Sequence, residues 1–249
     1  PEQFNGQIDL RNIGIQDFWN HLDQSYKDLQ IEKLIRDYKQ QHITPETILK
    51  EFFTNFKELY GNRMTREAVN FPGFRRSIEN ALSKKITPCG IITGLATYQD
   101  GERKSRVGVV ISNTRFQAGA FDMASCEKVC KLLVECARKR IPVVMFISSG
   151  GMQTKEGAGA LFSMAVINDR ITRFVKDMDL PVICFGFRDC TGGAQASFVT
   201  HRFVKTYYFS GAVMPFAGQL VVESPLSTKA TVANYLSKLT ESMEGLVIN

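Results

Sequence analysis

Between Ile141 and Gly193 the chain reads IPVVMFISSGG (141–151), then a helix-like segment to about Asp177, then PVICFGFRDCTGG (181–193). The runs IPVVMFI and PVICFGF are apolar without alternation, the pattern of strands buried on both faces. Each leads into a Gly–Gly turn, Gly150–Gly151 and Gly192–Gly193, and each turn leads into a helical pattern. Strand, glycine turn, helix, strand is the grammar of parallel β-α-β units joined by right-handed crossovers. The fold class that follows is α/β.

Upstream, CGIITGLATY (89–98) and RVGVVIS (106–112) are β-rich and flank Asp100–Gly101, which predicts a hairpin. A glycine-containing loop, RFQAGAFD (115–122), precedes an amphipathic helix over Met123–Lys139. Downstream, a short helix after Gly193 gives way to the strand-like FVKTYYF (203–209). Residues 1–88 follow another pattern. Phe18, Leu22, Tyr26 and Leu29, then Ile31, Leu34, Ile35 and Tyr38, recur at helical spacing. Thr44 can cap a further helix, Pro45 suits its first position, and the spacing predicts helix from Thr47 to Leu59. The expected organisation is a helical N-terminal segment, 1–88, acting as a packing or docking appendage, and one α/β domain, 89–249.

With 249 residues and 44% hydrophobic content, the chain can bury one sizeable core. No apolar run approaches the ~20 residues that cross a bilayer. The polar start PEQFNGQIDLRN lacks a signal-peptide pattern, so a cytoplasmic protein without membrane contact is expected. The six cysteines form no C-x-x-C pair, which predicts reduced core thiols and neither a disulfide framework nor a metal site. The net charge of +6 suits an acidic ligand such as a nucleotide-bearing cofactor. No basic run alternates with aromatics, so nucleic acid is not an expected partner.

The chemistry is expected where the strands end. In parallel α/β folds ligands bind beyond the carboxyl ends of the strands. A glycine there lets the backbone approach a substrate, and a helix start presents free N–H groups. One such donor aimed at a developing oxyanion contributes roughly 3 kcal/mol to a transition state. Side-chain catalysis finds little support, because His21, His42 and His201 are scattered and no G-x-S-x-G, H-E-x-x-H, P-loop or G-x-G-x-x-G is present. Tight turns without chemistry remain the plain alternative for both diglycines.

From about Asn113 to Glu223 the chain resembles the β-type (N-terminal) half of biotin-dependent acyl-CoA carboxyltransferases, of the crotonase-like superfamily. Four blocks carry the resemblance. Phe116-Gln117-Ala118-Gly119-Ala120 stands where the family has a Phe-Gly-Gly-Ser loop. Ser149-Gly150-Gly151 with Glu156-Gly157 matches S-G-G-A-R-x-Q-E-G. Thr191-Gly192-Gly193-Ala194-Gln195-Ala196-Ser197-Phe198 is close to T-G-G-V-x-A-S-F, and Phe216-Ala217-Gly218 with Glu223 matches F-A-G-P-x-V-I-E.

The resemblance implies a crotonase-like spiral of β-β-α units and transfer of a carboxyl group from carboxybiotin to a coenzyme A thioester. It makes Gly192 and Gly193 the oxyanion hole for the thioester enolate, with the helix near Ala194 adding its positive end. Substrate would meet Ala118, Gly119, Ala120, Gly150, Gly151, Glu156, Phe216, Ala217 and Gly218. Related hydratases carry a carboxylate about three residues after the equivalent glycine; Gln195 and Ala196 here argue against hydration. The implied partners are a complementary α-type half, a biotin carboxyl carrier and a biotin carboxylase, in a homo- or hetero-oligomer. No metal is implied, since the four-cysteine zinc ribbon of bacterial members is missing. The sequence departs from the pattern at Gln153, where the family has arginine, and at Gln219–Leu220, where it has Pro-Arg. Lys155 and Glu156 read as a solvated first turn, and Arg75, Arg76, Lys84 and Lys85 as a charged helix surface or contacts to CoA phosphates. Two other readings stay open: a non-catalytic binder of an acyl-CoA or partner, which the lost arginines favour, and a decarboxylase of a malonyl-type thioester.

Overall fold

The computed structural model describes residues 43–209 and 212–214. The helices expected before His42, and the block Phe216–Gly218 with Gln219, Leu220 and Glu223, lie outside the described residues. Six strands form one mixed sheet in the order β1-β2-β3-β4-β5-β6: β1 (Thr54–Glu58), β2 (Ile91–Asp100), β3 (Arg103–Ser112), β4 (Val143–Ser149), β5 (Val182–Cys190) and β6 (Val204–Tyr208). The first three run antiparallel, and β3 to β6 run parallel. Asp100 pairs with Arg103, so the expected hairpin closes with Gly101 and Glu102 at its tip.

Two long helices cover one face. Helix α3 (Met123–Lys139) begins at Asp122, whose carboxylate accepts from Ser125 N at 2.6 Å, and ends with Arg140 in the left-handed region. Helix α4 (Ala158–Lys176) packs beside it. Side chains alternate across each strand. Val110, Val143, Met145, Ile147, Val182 and Cys184 face α3 and α4, joining Leu132, Leu133, Ile167 and Ile171 in the main core. Val107, Val109, Ile111, Phe146 and Phe187 face the other way and pack against Ile48 of α1 (Pro45–Phe52). Both faces of β4 and β5 are therefore buried, as their unbroken apolar runs predict. The six cysteines are all free thiols.

One expectation for residues 1–88 is corrected. Thr44 caps α1 and Pro45 opens it, but the helix stops at Phe52 and does not continue to Leu59. Residues Thr54–Glu58 form β1 instead, and Lys57 pairs with Leu95 of β2. The physical reason is the sheet edge. Without β1, β2 would expose a row of unpaired backbone groups, and pairing satisfies them. Gly94 has no side chain, and the Phe56 ring occupies the space where one would stand. Between β1 and β2, α2 (Phe74–Ser83) buries Phe74 and Ala81 against Phe116. The described part of 1–88 is thus continuous with the sheet that follows it.

Candidate active site at the strand carboxyl ends

Strands β3, β4 and β5 all end on the same edge of the sheet, because they are parallel. Their three exit loops are laced together by backbone hydrogen bonds. Gly150 N donates to Ala118 O (3.1 Å), Phe121 N to Gly151 O (2.8 Å), Gln153 N to Phe121 O (2.8 Å) and Thr191 N to Ser149 O (2.8 Å). Ser148 adds its own ties, donating from its N–H to Ser112 Oγ (3.0 Å) and from its Oγ to Asp189 O (3.1 Å). Gln117, Ala118 and Gly119 all lie in the left-handed region. At Gly119 only glycine fits, since a Cβ would collide with the Ser148 carbonyl oxygen.

The two diglycines meet across this edge. A Cβ at Gly151 would stand 3.5 Å from Thr191 O and 3.6 Å from Gly193 N, with no side chain between the loops. Thr191 is the N-cap of a short helix, Gly192–Ala194, that continues as a wider turn over Gln195–Val199. No side chain caps it. The N–H groups of Gly192 and Gly193 make no hydrogen bond among the described residues, as the first amides of a helix do not within the helix itself. Thr191 Oγ1 is buried without a partner beside them. The two glycines are required for different reasons. Gly192 has φ +57°, a backbone that suits glycine. Gly193 is outside that region, but a Cβ there would lie 2.6 Å from Met164 Sδ and 2.8 Å from Met152 Cγ. What the site offers is bare backbone donors where two glycine turns meet with no side chain of their own.

Comparison with known proteins meets this geometry. The chain is 30% identical over 175 residues to acetyl-coenzyme A carboxylase carboxyl transferase subunit beta 1 of Lachnospira eligens, an alignment covering 70% of this chain and 66% of that subunit. The chain is a homologue of that β subunit. No protein-family model matches it. Among solved structures, transcarboxylase 12S with methylmalonyl-coenzyme A and methylmalonic acid bound superposes with TM-score 0.60 at 18% identity, over 90% of this chain and 42% of that one. A single-chain, multi-domain long-chain acyl-CoA carboxylase gives TM-score 0.55 at 18% identity, over 86% of this chain and 21% of that one. The Pseudomonas malonate decarboxylase MdcD–MdcE hetero-dimer gives 0.53 at 16%, over 76% and 71%. These likenesses show that the chain shares its fold with those enzymes.

In this carboxyl transferase homologue, side chains near the diglycines hold the loops. Glu156 is not a solvated first-turn residue: it is 1% exposed, accepts from Met123 N at 2.6 Å and takes the Thr65 hydroxyl proton in a hydrogen bond. It clamps the turn after the first diglycine to the start of α3. Lys155 Nζ donates to Gln117 Oε1 at 2.8 Å, tying the same turn to the left-handed loop. Gln153 is 3% exposed and its Nε2 has no partner, while Gln195 Nε2 donates to the Tyr208 hydroxyl at 2.7 Å. His201 sits away from the diglycines, bonded to Thr172 Oγ1 at 3.2 Å, and burial lowers its pKa. Arg75 pairs with Glu67 at 2.8 Å on the surface. The sequence carried no sign of Glu156's burial. Asp122 was visible in principle as the polar residue just before a helical run.

Asp122 carries a pH signature. It is fully buried, and desolvation with the nearby Glu156 charge pushes its carboxyl from 3.8 up to about 6, against bonds from Ser125 and Gly90 that lower it. An acid whose pKa rises on folding holds its proton better in the fold. Its contribution is complete below the unfolded value near 3.8 and is lost as pH climbs through about 6. At 1.36 kcal/mol per pKa unit the window is worth about 3 kcal/mol. Asp122→Asn removes this proton, so urea unfolding of wild type and variant is expected to diverge in the variant's favour by about that amount from pH 4 to pH 7. A constant difference across the range would show that Asp122 ionises normally.

Proposed function

We propose that the chain is the β-type half of a biotin-dependent acyl-CoA carboxyltransferase. One observation carries this reading: the amides of Gly192 and Gly193 have no hydrogen-bond partner among the described residues and lie against the glycine turn at Gly151. Those donors suit a thioester carbonyl that becomes an enolate, since they gain strength as negative charge develops on its oxygen. On this reading Ala118, Gly119 and Ala120 line the approach to those amides; Phe216, Ala217 and Gly218, given to the substrate by the same resemblance, lie outside the described residues. Neither diglycine loop, SSGGM or CTGGAQ, contains a histidine or carboxylate to take the Cα proton. Carboxybiotin, presented by a partner, would supply the carboxyl group and receive that proton. Gln195 is neutral and engaged with Tyr208, so it adds no acid or base.

The partner assignment rests on the family resemblance. On this reading the chain supplies the acyl side, and a complementary α-type half would close the biotin side, with a biotin carboxyl carrier and a biotin carboxylase feeding it. The solved relatives include a hexamer and a hetero-dimer. Mixing the chain with an α-type half, carboxybiotin and a panel of acyl-CoA thioesters is expected to give transfer that neither half gives alone. Transfer by neither the halves nor the mixture, with acyl-CoA still bound, would favour a non-catalytic binder; release of carbon dioxide from malonyl-CoA without biotin would favour a decarboxylase.

A further inference from the structure

A second region of chemistry lies on the helical layer. Helices α3 and α4, with Tyr60 just beyond β1, enclose a recess of about 360 Å³. That volume lies in the range of small-molecule sites. Helix α3 starts at the carboxyl edge of the sheet and carries the chain back to the start of β4. On α3 the recess begins at Cys130, about 10 Å along the axis from Met123, and reaches Arg138, about 22 Å along. It is therefore separate from the diglycine edge.

Two kinds of surface line it. Cys130, Val134 and the Tyr60 ring are apolar, whereas Lys131, Arg138 and Arg170 are cationic. Glu135 is the one carboxylate among the lining residues, and Lys139 holds it at 2.7 Å. Lys131 pairs with Glu127 at 2.7 Å and stands 5.8 Å from the centre of the Tyr60 ring. The arginines differ. Among the described residues no ion pair engages Arg138 or Arg170, and Arg170 Nε is buried without a hydrogen-bond partner. A buried guanidinium donor left unanswered costs free energy, and an anion seated beside it offsets that cost.

The lining selects a chemistry. Guanidinium forks match phosphate and carboxylate oxygens, and two of them at one recess suit a head group carrying two charges. A phosphate monoester puts both charges and three acceptor oxygens on one head. A small dicarboxylate divides its charge between two ends and leaves the apolar wall uncovered. A flat body fits that wall, where Tyr60 offers an aromatic partner. We propose that this recess binds a phosphate monoester with a compact aromatic body. The phosphate sits between Arg138 and Arg170, the ring lies against Tyr60 and Val134, and the ligand ties α3 to α4. This inference is independent of the carboxyl-transfer reading.

The test is calorimetric titration of the full chain with phenyl phosphate, with melting curves alongside. Saturable binding is expected with Kd on the order of 0.1 mM, an ordinary efficiency for a ligand of this size. At a hundredfold excess over Kd the melting temperature is expected to rise by about 5–10 °C. Inorganic phosphate and succinate, which leave the apolar wall uncovered, are expected to bind at least about tenfold more weakly. Arg170→Gln and Arg138→Gln are each expected to weaken phenyl phosphate about tenfold, the scale of one charge-assisted hydrogen bond. Arg138 is exposed, so its variant keeps the test open if Arg170→Gln folds poorly. Arg103→Gln at the hairpin removes the same charge elsewhere and is expected to change nothing. No saturation by about 10 mM, a hundred times the expected constant, would overturn the proposal. So would inorganic phosphate or succinate binding as tightly as phenyl phosphate, or full affinity in both Arg138→Gln and Arg170→Gln.

Discussion

Replacing Gly192 by alanine is expected to lower carboxyl transfer by about 10²-fold while leaving the domain folded, the scale of losing one oxyanion donor. Gly192 has φ +57°, where an alanine is strained by about 1 kcal/mol. Relief of that strain rotates the peptide units on either side, and with them the unpartnered N–H groups of Gly192 and Gly193. The methyl group itself meets only Gly151 Cα, at 3.6 Å, so packing stays intact. Gly101 at the hairpin tip supplies the control. It also has φ +57°, with nothing within 4 Å of a Cβ, and lies at the opposite end of β3 from the site. Gly101→Ala is expected to lower the melting temperature by the same roughly 2–4 °C as Gly192→Ala and to leave transfer unchanged. Equal transfer rates in the two variants would make Gly192 a structural turn. Gly193→Val is a poorer probe, because its side chain collides with Met152 and Met164 and any loss of rate mixes with loss of packing.

The largest stability effect is expected at Gly119. Gly119→Ala adds a Cβ against the Ser148 carbonyl oxygen, and that oxygen is backbone, unable to swing aside. The left-handed φ of +67° adds its own strain. Overpacking and strain together are expected to cost about 3 kcal/mol or more. For a domain of this size the melting temperature falls by roughly 6–12 °C. The loop 117–119 also holds Gly150 through Ala118 O, so transfer is expected to fall well below the melting point. A Gly119→Ala variant melting within a degree of Gly101→Ala would show that the loop has room to yield.

Much of this architecture is readable in the sequence, for identifiable reasons. Helix α3 matches the expected Met123–Lys139 because its apolar periodicity and the aspartate before it act locally. The double-sided burial of β4 and β5 shows as unbroken apolar runs. Strand β1 is not readable, because Thr54–Glu58 becomes a strand only when β2 presents an open edge. Glu156 is not readable either. Its burial depends on Thr65 and Met123, brought from two distant segments, and a glutamate in a first turn is more commonly solvated. The diglycines are legible as a pair of motifs, but the division of labour between Gly192 and Gly193 is set by φ and by two methionines that only the fold assembles.

The central claim is that the Gly192 and Gly193 amides polarise a thioester carbonyl. Hydrogen bonds to a carbonyl weaken its double bond and lower its stretching frequency. The direct measurement is isotope-edited infrared spectroscopy of a carbonyl-labelled acyl-CoA bound to the chain with its α-type half. The account predicts a thioester band shifted to lower frequency than in water, with the shift reduced in Gly192→Ala and retained in Gly101→Ala. A bound band at the aqueous frequency, or one that Gly192→Ala leaves in place, would contradict it.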